Sequence, residues 1–173
     1  MAGASRAVAR SCQVVPVDVG GGSPDNTVTV TAAQAGYSGT PMVRKLGVKA
    51  GQLVVLCGAP AGWTIPDLPA DVTSRRFAEP PAVEPPSAAD LVVAFCRTPD
   101  EPAAAIAGFG QVVFPAGALW IAWPRRAAGH RSDVTENLIR DEALPLGLVD
   151  TKVAALDTDW SGLKLVWRKE RRK

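Results

Sequence analysis

The side chains best suited to bind a small molecule are tryptophans and arginines that stand where apolar runs of the sequence end. Arg97 directly follows the run Leu91–Cys96, and Trp123 and Arg125 close the run that begins at Ala118. A guanidinium group attracts anions, and an indole ring offers a flat face to planar or cationic groups. The set predicts a small pocket for a flat or anionic molecule. Its candidate ligand-binding residues are Gly58, Trp63, Arg97, Trp123, Arg125, Ser132, Asp133, Trp160 and Ser161.

Burial is the alternative for Trp123 and Trp160, because tryptophan more often plugs the end of a core than lines a pocket. An exposed ring would serve a ligand, whereas a buried ring contributes packing. Trp160 and Ser161 lie in a predicted turn, which could sit at the same edge of the sheet as the other candidates or at the opposite edge.

The pocket requires that three apolar runs lie side by side as parallel strands. Leu53–Cys57, Leu91–Cys96 and Leu119–Trp123 are apolar throughout. Continuous runs of this length are typical of strands buried on both faces of a parallel sheet. Ligands of open α/β sheets bind beyond the carboxyl ends of the strands, so we expect the candidate residues to meet at that edge.

Helices are expected before and between these runs, because capping residues and prolines mark their starts. The first begins at Pro41 after a Ser38 or Thr40 cap and ends at Gly47, the second spans Ala103–Val113 after the start signal Thr98–Glu101, and the third follows the capping-box pair Asp133 and Glu136 and ends near Ala143, before Pro145.

The last two strands are predicted at Lys152–Leu156 and Leu163–Trp167, and their short connection requires them to be antiparallel. Asp71–Phe77 holds one further short strand. The order of elements predicts an α/β fold: a single-domain, three-layer, Rossmann-like sheet that is mostly parallel and ends in an antiparallel hairpin. This order is similar to that of class I methyltransferases, an analogy of fold alone.

Four stretches resemble a known protein family. They are Gly36–Pro41, Lys45–Lys49, Ala118–Pro124 and Asp159–Lys164. They are similar to the signature stretches of a bacterial family catalogued as domain of unknown function number three thousand and fifty-two. The resemblance covers about residues 35–170 and implies a single small cytoplasmic α/β domain; it assigns no catalytic residue. Residues 1–34 lie outside it and are expected to form a flexible or peripheral arm.

Methyltransferase chemistry would need a glycine-rich turn after the first strand and an acid after the second. In the turn Gly58–Gly62, Pro60 stands where a second close glycine is expected. The nearest acid to the weak strand, Glu79, lies in a proline-rich loop. The sequence therefore predicts a domain that has the methyltransferase-like fold but binds no cofactor. The alternative is a methyltransferase with an altered S-adenosylmethionine site.

Other chemistries have weaker signals. Gly36–Pro41 is not a phosphate-binding loop of the Walker type, and a plain helix cap is favoured over an anion site there. The one histidine, His130, could pair with Ser132 or Asp133, but a solvent-facing loop position is favoured. A single histidine with no cysteine pair at ligand spacing makes a transition-metal site unexpected.

Composition sets the remaining bounds. The chain has 173 residues, a net charge of +2 and three widely spaced cysteines, which suits one domain in a reducing cytoplasm. The N-terminus lacks the apolar segment of a secretory signal, and no run has the ~18 apolar residues of a membrane span. The basic C-terminal tail, Arg168–Lys173, is interpreted as a solvated strand end, so nucleic acid is not the favoured partner.

The sequence predicts a non-catalytic binding module, with either a small anionic ligand or a protein as its partner. A methyltransferase with an altered cofactor site is the second hypothesis. A regulatory nucleic-acid binder is the third, and it depends only on the basic tail.

Overall fold

The computed structural model describes residues 39–80 and 88–173, which form an α/β unit around one sheet. Its strands are β1 (Leu53–Cys57), β2 (Thr73–Phe77), β3 (Leu91–Phe95), β4 (Ala118–Pro124), β5 (Leu148–Ala155) and β6 (Trp160–Trp167). They lie in the order β2-β1-β3-β4-β6-β5. The predicted N-terminal arm, Ser38 and Cys12 lie outside the described residues.

The centre of the sheet is parallel, as predicted. β1 pairs with β2 and with β3, and β3 pairs with β4, all in parallel. β6 is antiparallel to both β4 and β5, which confirms the predicted terminal hairpin, but both strands begin earlier than predicted, and Trp160 and Ser161 belong to β6 and not to the turn. The carboxyl ends of β1, β3 and β4 and the start of β6 therefore meet at one edge, called here the carboxyl edge.

Two helices cover the first face of the sheet and one covers part of the second. They are α1 (Met42–Leu46), α2 (Glu101–Phe109) and α3 (Glu136–Leu146). α2 and α3 pack on the first face with the alternate side chains Val55, Val92 and Ile121. α1 and the loop 59–72 pack on the second face with Val54, Val93 and Trp120. Because strands alternate their side chains, both faces of the central strands must be apolar, which is why their sequences are continuous apolar runs.

The helix starts differ from the prediction. Pro41 lies just before α1 with ψ 143°, outside the helical region, and no side chain of the described residues caps this helix. The backbone makes the cap instead, since the Pro41 carbonyl accepts from the amides of Arg44 and Lys45 at 3.0 Å each. Thr40 therefore has no capping role. Gly47 ends the helix with φ 83°, as expected.

α2 begins and ends earlier than predicted, at Glu101 and Phe109 instead of Ala103 and Val113. The side chain of Thr98 is not its cap. The Glu101 carboxylate instead accepts from the backbone amides of Arg97 and Thr98 and so satisfies free donors next to the first turn.

α3 is capped by Thr135, whose hydroxyl accepts from the Leu138 amide at 3.3 Å. The predicted capping box of Asp133 and Glu136 is therefore wrong. The helix also continues through Pro145 to Leu146, since a proline so close to the helix end removes one hydrogen bond and leaves the preceding turns intact.

Among the described residues, no helix combines the length and the apolar composition needed to cross a bilayer.

Candidate functional site

Arg97 is the centre of a polar and aromatic cluster at the carboxyl edge. It follows β3, and its Nη1 donates to the Gly58 carbonyl oxygen, which follows β1, at 3.1 Å. Its guanidinium carbon lies 5.2 Å from the centroid of the Trp160 ring, the first residue of β6. The register explains the meeting, because β1 and β3 are neighbours and β6 runs back from this edge. A cation held against an indole face keeps its other donors available to an anion.

Two further aromatic rings, Trp63 and Phe95, hold the Trp160 ring of this cluster in place. Trp63 and Phe95 meet edge to face with centroids 4.7 Å apart, and Phe95 meets Trp160 in the same way at 4.8 Å. Such pairs contribute about 0.5–1.5 kcal/mol beyond the area they bury. The Trp160 ring is consequently fixed while one side of it faces Arg97.

Asp157 orients both tryptophans through a single carboxylate. Its Oδ2 accepts from Trp63 Nε1 at 2.6 Å, and its Oδ1 accepts from the backbone amides of Asp159 and Trp160 at 2.8 and 2.7 Å. An aspartate that accepts from amides two and three residues ahead makes a tight turn. The turn between β5 and β6 and the loop 59–72 are therefore tied together at the site.

His130 and Asp159 form the second polar group of the site. His130 Nε2 lies 2.8 Å from Asp159 Oδ1, with side-chain exposures of 44% and 58%. A carboxylate accepts from the ring nitrogen it contacts, so in a neutral imidazole Nδ1 is the acceptor. The backbone carbonyl of Asp159 also accepts from the Arg125 amide at 2.7 Å, which fixes the loop.

These residues line an open pocket of about 290 Å³, whose walls are Arg97, Pro124, His130, Asp159 and Trp160. Small-molecule pockets usually have volumes of about 300–1,000 Å³, so this pocket suits a small ligand. It offers two apolar surfaces, one permanent cation, one imidazole and the Asp159 carboxylate. It can hold a planar acid by pairing the acid group with Arg97 while the apolar part lies against Trp160 and Pro124.

The structure brings some of the predicted site residues together and separates others. Gly58, Trp63, Arg97 and Trp160 meet as described, but of these four only Arg97 and Trp160 line the pocket. Trp123 and Trp160 are 8% and 9% exposed, and they pack in the cores of the first and the second face, so the alternative of burial holds for both rings, and Trp160 adds to the pocket only the part of its ring that lines it.

The remaining candidates contribute no side chain to the pocket. Ser161 pairs with Trp123 across β4 and β6, and so points to the face opposite Trp160. Ser132 is buried, its hydroxyl accepts from the Val134 amide, and its carbonyl accepts from Arg126. Arg125 acts through its backbone amide, and Asp133 is exposed away from the pocket.

Sequence reasoning missed Asp157 and Asp159 and assigned too little to His130. Aspartates in a hairpin loop are ordinary turn residues, so their type carried no signal. Their proximity to His130 and Trp63 depends on the register of β6 against β4, which places the hairpin turn at the carboxyl edge.

A second, smaller cavity of about 100 Å³ lies between the ends of β1 and β3 and the start of α2. Its lining includes Cys57, Gly58, Glu79, Cys96 and Glu101. Gly58 has φ 64°, and a Cβ atom there would lie 3.0 Å from the Phe95 carbonyl oxygen, so only glycine fits this turn. Glu79, set aside in the sequence as a loop residue, therefore lies beside the turn that follows β1.

Both cysteines of this cavity are expected to resist alkylation in the folded protein. Burial first, and then nearby acids, raise the pKa of Cys57 and of Cys96 to about 12 from the ordinary value of 9.0. The thiolate is the reactive form, so at pH 8 iodoacetamide should label both only in denaturant. Peptide mass spectrometry measures this, and rapid native labelling of either cysteine would contradict the buried positions.

The same shifts predict a loss of stability at alkaline pH. A thiol whose folded pKa is raised contributes its stability below pH 9 and loses it as the pH rises towards 12. Each thiol should cost about 1.4 kcal/mol for each pH unit in this window. A C57A/C96A variant should show a shallower fall of unfolding free energy with pH above 9, and an unchanged slope would contradict the assignment.

Replacing Asp157 with alanine should lower the free energy of unfolding by about 2 kcal/mol, since a carboxylate with three donors is lost. It should also increase acrylamide quenching of tryptophan fluorescence, as Trp63 and Trp160 loosen. Asp133→Ala is the matched control, because Asp133 is exposed. Equal effects of the two substitutions would show that Asp157 does not orient the tryptophans.

A comparison with solved structures identifies the fold. A SAM-dependent methyltransferase from Aquifex aeolicus superposes with a TM-score of 0.52 and 12% identity, over 71% of this chain and 86% of that one. The Methanococcus jannaschii fibrillarin pre-rRNA processing protein gives a TM-score of 0.46 and 14% identity, over 76% of this chain and 70% of that one. No conclusion about this chain rests on that second similarity. No protein-family model matches the chain, and no curated protein matches it in sequence.

The predicted fold class is therefore confirmed: the chain has a methyltransferase-like Rossmann fold with an antiparallel end. Likeness at 12% identity concerns the fold alone. The resemblance to the catalogued bacterial family stays a prediction.

Proposed function

We propose that this domain is a binding module for a small planar anion. The anion lies at the carboxyl edge, where it pairs with Arg97 and packs against Trp160 and Pro124. The observation that carries the proposal is the Arg97 guanidinium lying over Trp160 beside an open pocket of about 290 Å³. An arginine fixed by a carbonyl and an indole face is pre-organised, so it loses little freedom when it pairs with an acid.

The chemistry of the pocket favours a carboxylate over a bulky phosphate ester. Trp160 and Pro124 give apolar contact to a flat ring, and the volume limits the ligand to a small molecule. The Asp159 carboxylate also lines the pocket, and a neutral His130 does not cancel its charge, so the acid group of the ligand must pair with Arg97. The proposed role needs binding alone, and no step of covalent chemistry is assigned to the site.

A thermal-shift titration with benzoate tests this role, with benzamide as the matched neutral ligand. A ligand selective for the folded state raises the melting temperature with its concentration. Benzoate at millimolar concentration should raise it, and benzamide should have little effect because it lacks the charge that pairs with Arg97. Equal shifts with both ligands, or no shift with any small carboxylate, would contradict the proposal.

The second candidate is a methyltransferase with an altered cofactor site. The observation in its favour is Glu79 lining the same cavity as the Gly58 turn, the places where an acid and a close backbone are needed for the cofactor's ribose and methionine parts. Two observations oppose this candidate. The cavity has a volume of only about 100 Å³. The residues 59–72 after β1 form no helix whose N-terminus could point at a ligand.

S-adenosylmethionine and S-adenosylhomocysteine in the same titration separate the two candidates. The binding-module proposal expects no shift with either compound. A shift with S-adenosylmethionine that Glu79→Gln removes and His130→Gln leaves intact would support the methyltransferase instead, since His130 lines only the larger pocket whereas Arg97 lines both cavities.

A further inference from the structure

Four lysines from distant parts of the chain meet on the second face of the sheet, at the end of α1. They are Lys45, Lys49, Lys152 and Lys164, called here the lysine face. Lys45 lies in the last turn of α1 and is 4% exposed. Lys49 follows α1, while the other two belong to β5 and β6. In the sequence, Lys164 belongs to the predicted strand Leu163–Trp167.

The register of the terminal hairpin creates this face. Lys152 and Lys164 are direct partners in the pairing of β5 with β6. An irregularity between Asp150 and Lys152 shifts the register, so Asp150 turns to the first face, where its Oδ2 accepts from Arg140 Nε at 3.1 Å, and Lys152 turns to the second. Without this bulge Lys152 would share the face of Asp150.

The amines of Lys152 and Lys164 lie at the carbonyl end of α1, and that of Lys45 reaches the end of β5. Lys152 Nζ donates to the Lys45 carbonyl at 3.1 Å, and Lys45 Nζ donates to the Ala155 carbonyl at 3.0 Å. Lys164 Nζ lies 3.6 Å from where a Cβ atom on Gly47 would stand. The helix carbonyls therefore account for the hydrogen bond of Lys152, whereas no described hydrogen bond gives the Lys164 ammonium an acceptor.

Like charges opposed across two strands destabilise a sheet. The ion pairs found in residues 39–80 and 88–173 include none of Lys49, Lys152 and Lys164. The pKa of Lys164 is lowered, first by burial and then by Lys152 and Lys49. The pKa of Lys45 is lowered by burial, Lys152 and Arg125, against an opposing effect of Asp157. A bound polyvalent anion would offset this repulsion.

We propose that the lysine face is a second anion site, which binds a small ligand bearing a phosphate or pyrophosphate group. Lysine is a point charge that binds phosphate without a fixed hydrogen-bond geometry, and a convergent group of lysines suits an anion with two or more charges. Among the described residues, the aromatic neighbour of Lys164 in β4 is Trp120, which is fully buried and offers no ring for a base to stack on, so a small phosphate ligand is favoured over a polymer. The site is independent of Arg97 and of the proposed carboxylate pocket.

The test is calorimetric titration of the full chain with inorganic pyrophosphate at fixed ionic strength. Lys164→Met keeps the length of the side chain and removes one like charge, so the variant should fold and bind pyrophosphate about tenfold more weakly, a loss on the scale of one charge-assisted hydrogen bond. Lys169→Met, in the exposed 3-10 turn Lys169–Arg171, removes the same charge elsewhere and should bind like the wild type. Circular dichroism checks the fold of each variant.

Lys152→Met provides a second measurement from the partner strand. It should weaken the binding of pyrophosphate as Lys164→Met does. The proposal is overturned if wild-type protein does not bind pyrophosphate, if the Lys169 variant loses as much affinity as the Lys164 variant, or if a single-stranded oligonucleotide binds through these lysines while pyrophosphate does not.

Discussion

Replacing Trp120 with alanine is expected to lower the free energy of unfolding by about 3–5 kcal/mol, the usual cost of truncating a buried aromatic side chain. Trp120 is fully buried in β4, in the middle of the sheet. Its Nε1 donates to the Leu46 carbonyl at 3.3 Å, so the ring joins α1 to the sheet. The space above Gly162 is filled by the same ring, since a Cβ there would lie 3.0 Å from Trp120 Cε3.

Urea unfolding followed by circular dichroism measures this effect. Leu146→Ala is the control, because Leu146 is 48% exposed at the end of α3 and should cost less than about 1 kcal/mol. A similar small loss for both variants would show that Trp120 does not stand in the core, and would contradict the placement of β4 between β3 and β6.

Replacing Arg97 with methionine should weaken benzoate binding at least tenfold, because a hydrogen-bonded charge pair contributes about 1.5–3 kcal/mol. Arg97 is exposed, so the fold should survive the change. The methionine keeps contact with the Trp160 ring and removes only the charge and its donors. Titration calorimetry or the thermal shift measures the loss.

Arg168→Met is the matched control for Arg97→Met, because Arg168 is exposed beyond the end of β6 and its replacement removes the same charge from the chain. It should bind benzoate like the wild type. If the Arg168 variant loses as much affinity as the Arg97 variant, the interaction is with net charge and not with the pocket.

The central sheet was predictable because its strands are buried on both faces. Such strands have no polar alternation, and Leu53–Cys57 appears as one uninterrupted apolar run with the observed bounds. The hairpin followed from its short connection. The helix caps were less predictable, because Thr40, Thr98 and Asp133 are all plausible caps locally and the backbone or a neighbouring side chain takes the role.

The site was predictable only where it depends on strand ends. Arg97 and Gly58 follow neighbouring parallel strands, so their meeting is a consequence of sheet order. Trp123 failed as a pocket residue because strand alternation directs it to the first face, while Trp160 is directed to the second. Asp157 and Asp159 could not be placed without the register of β6.

The most direct test of the carboxyl-edge pocket is a nuclear magnetic resonance titration of the tryptophan indole signals with benzoate. The chain has five tryptophans, so the two first-face rings, Trp123 and Trp167, serve as internal references. The pocket predicts that the Trp160 indole signal shifts with saturation while those of Trp123 and Trp167 stay in place. A titration in which Trp160 does not move, or in which the first-face rings move as much, would contradict the account.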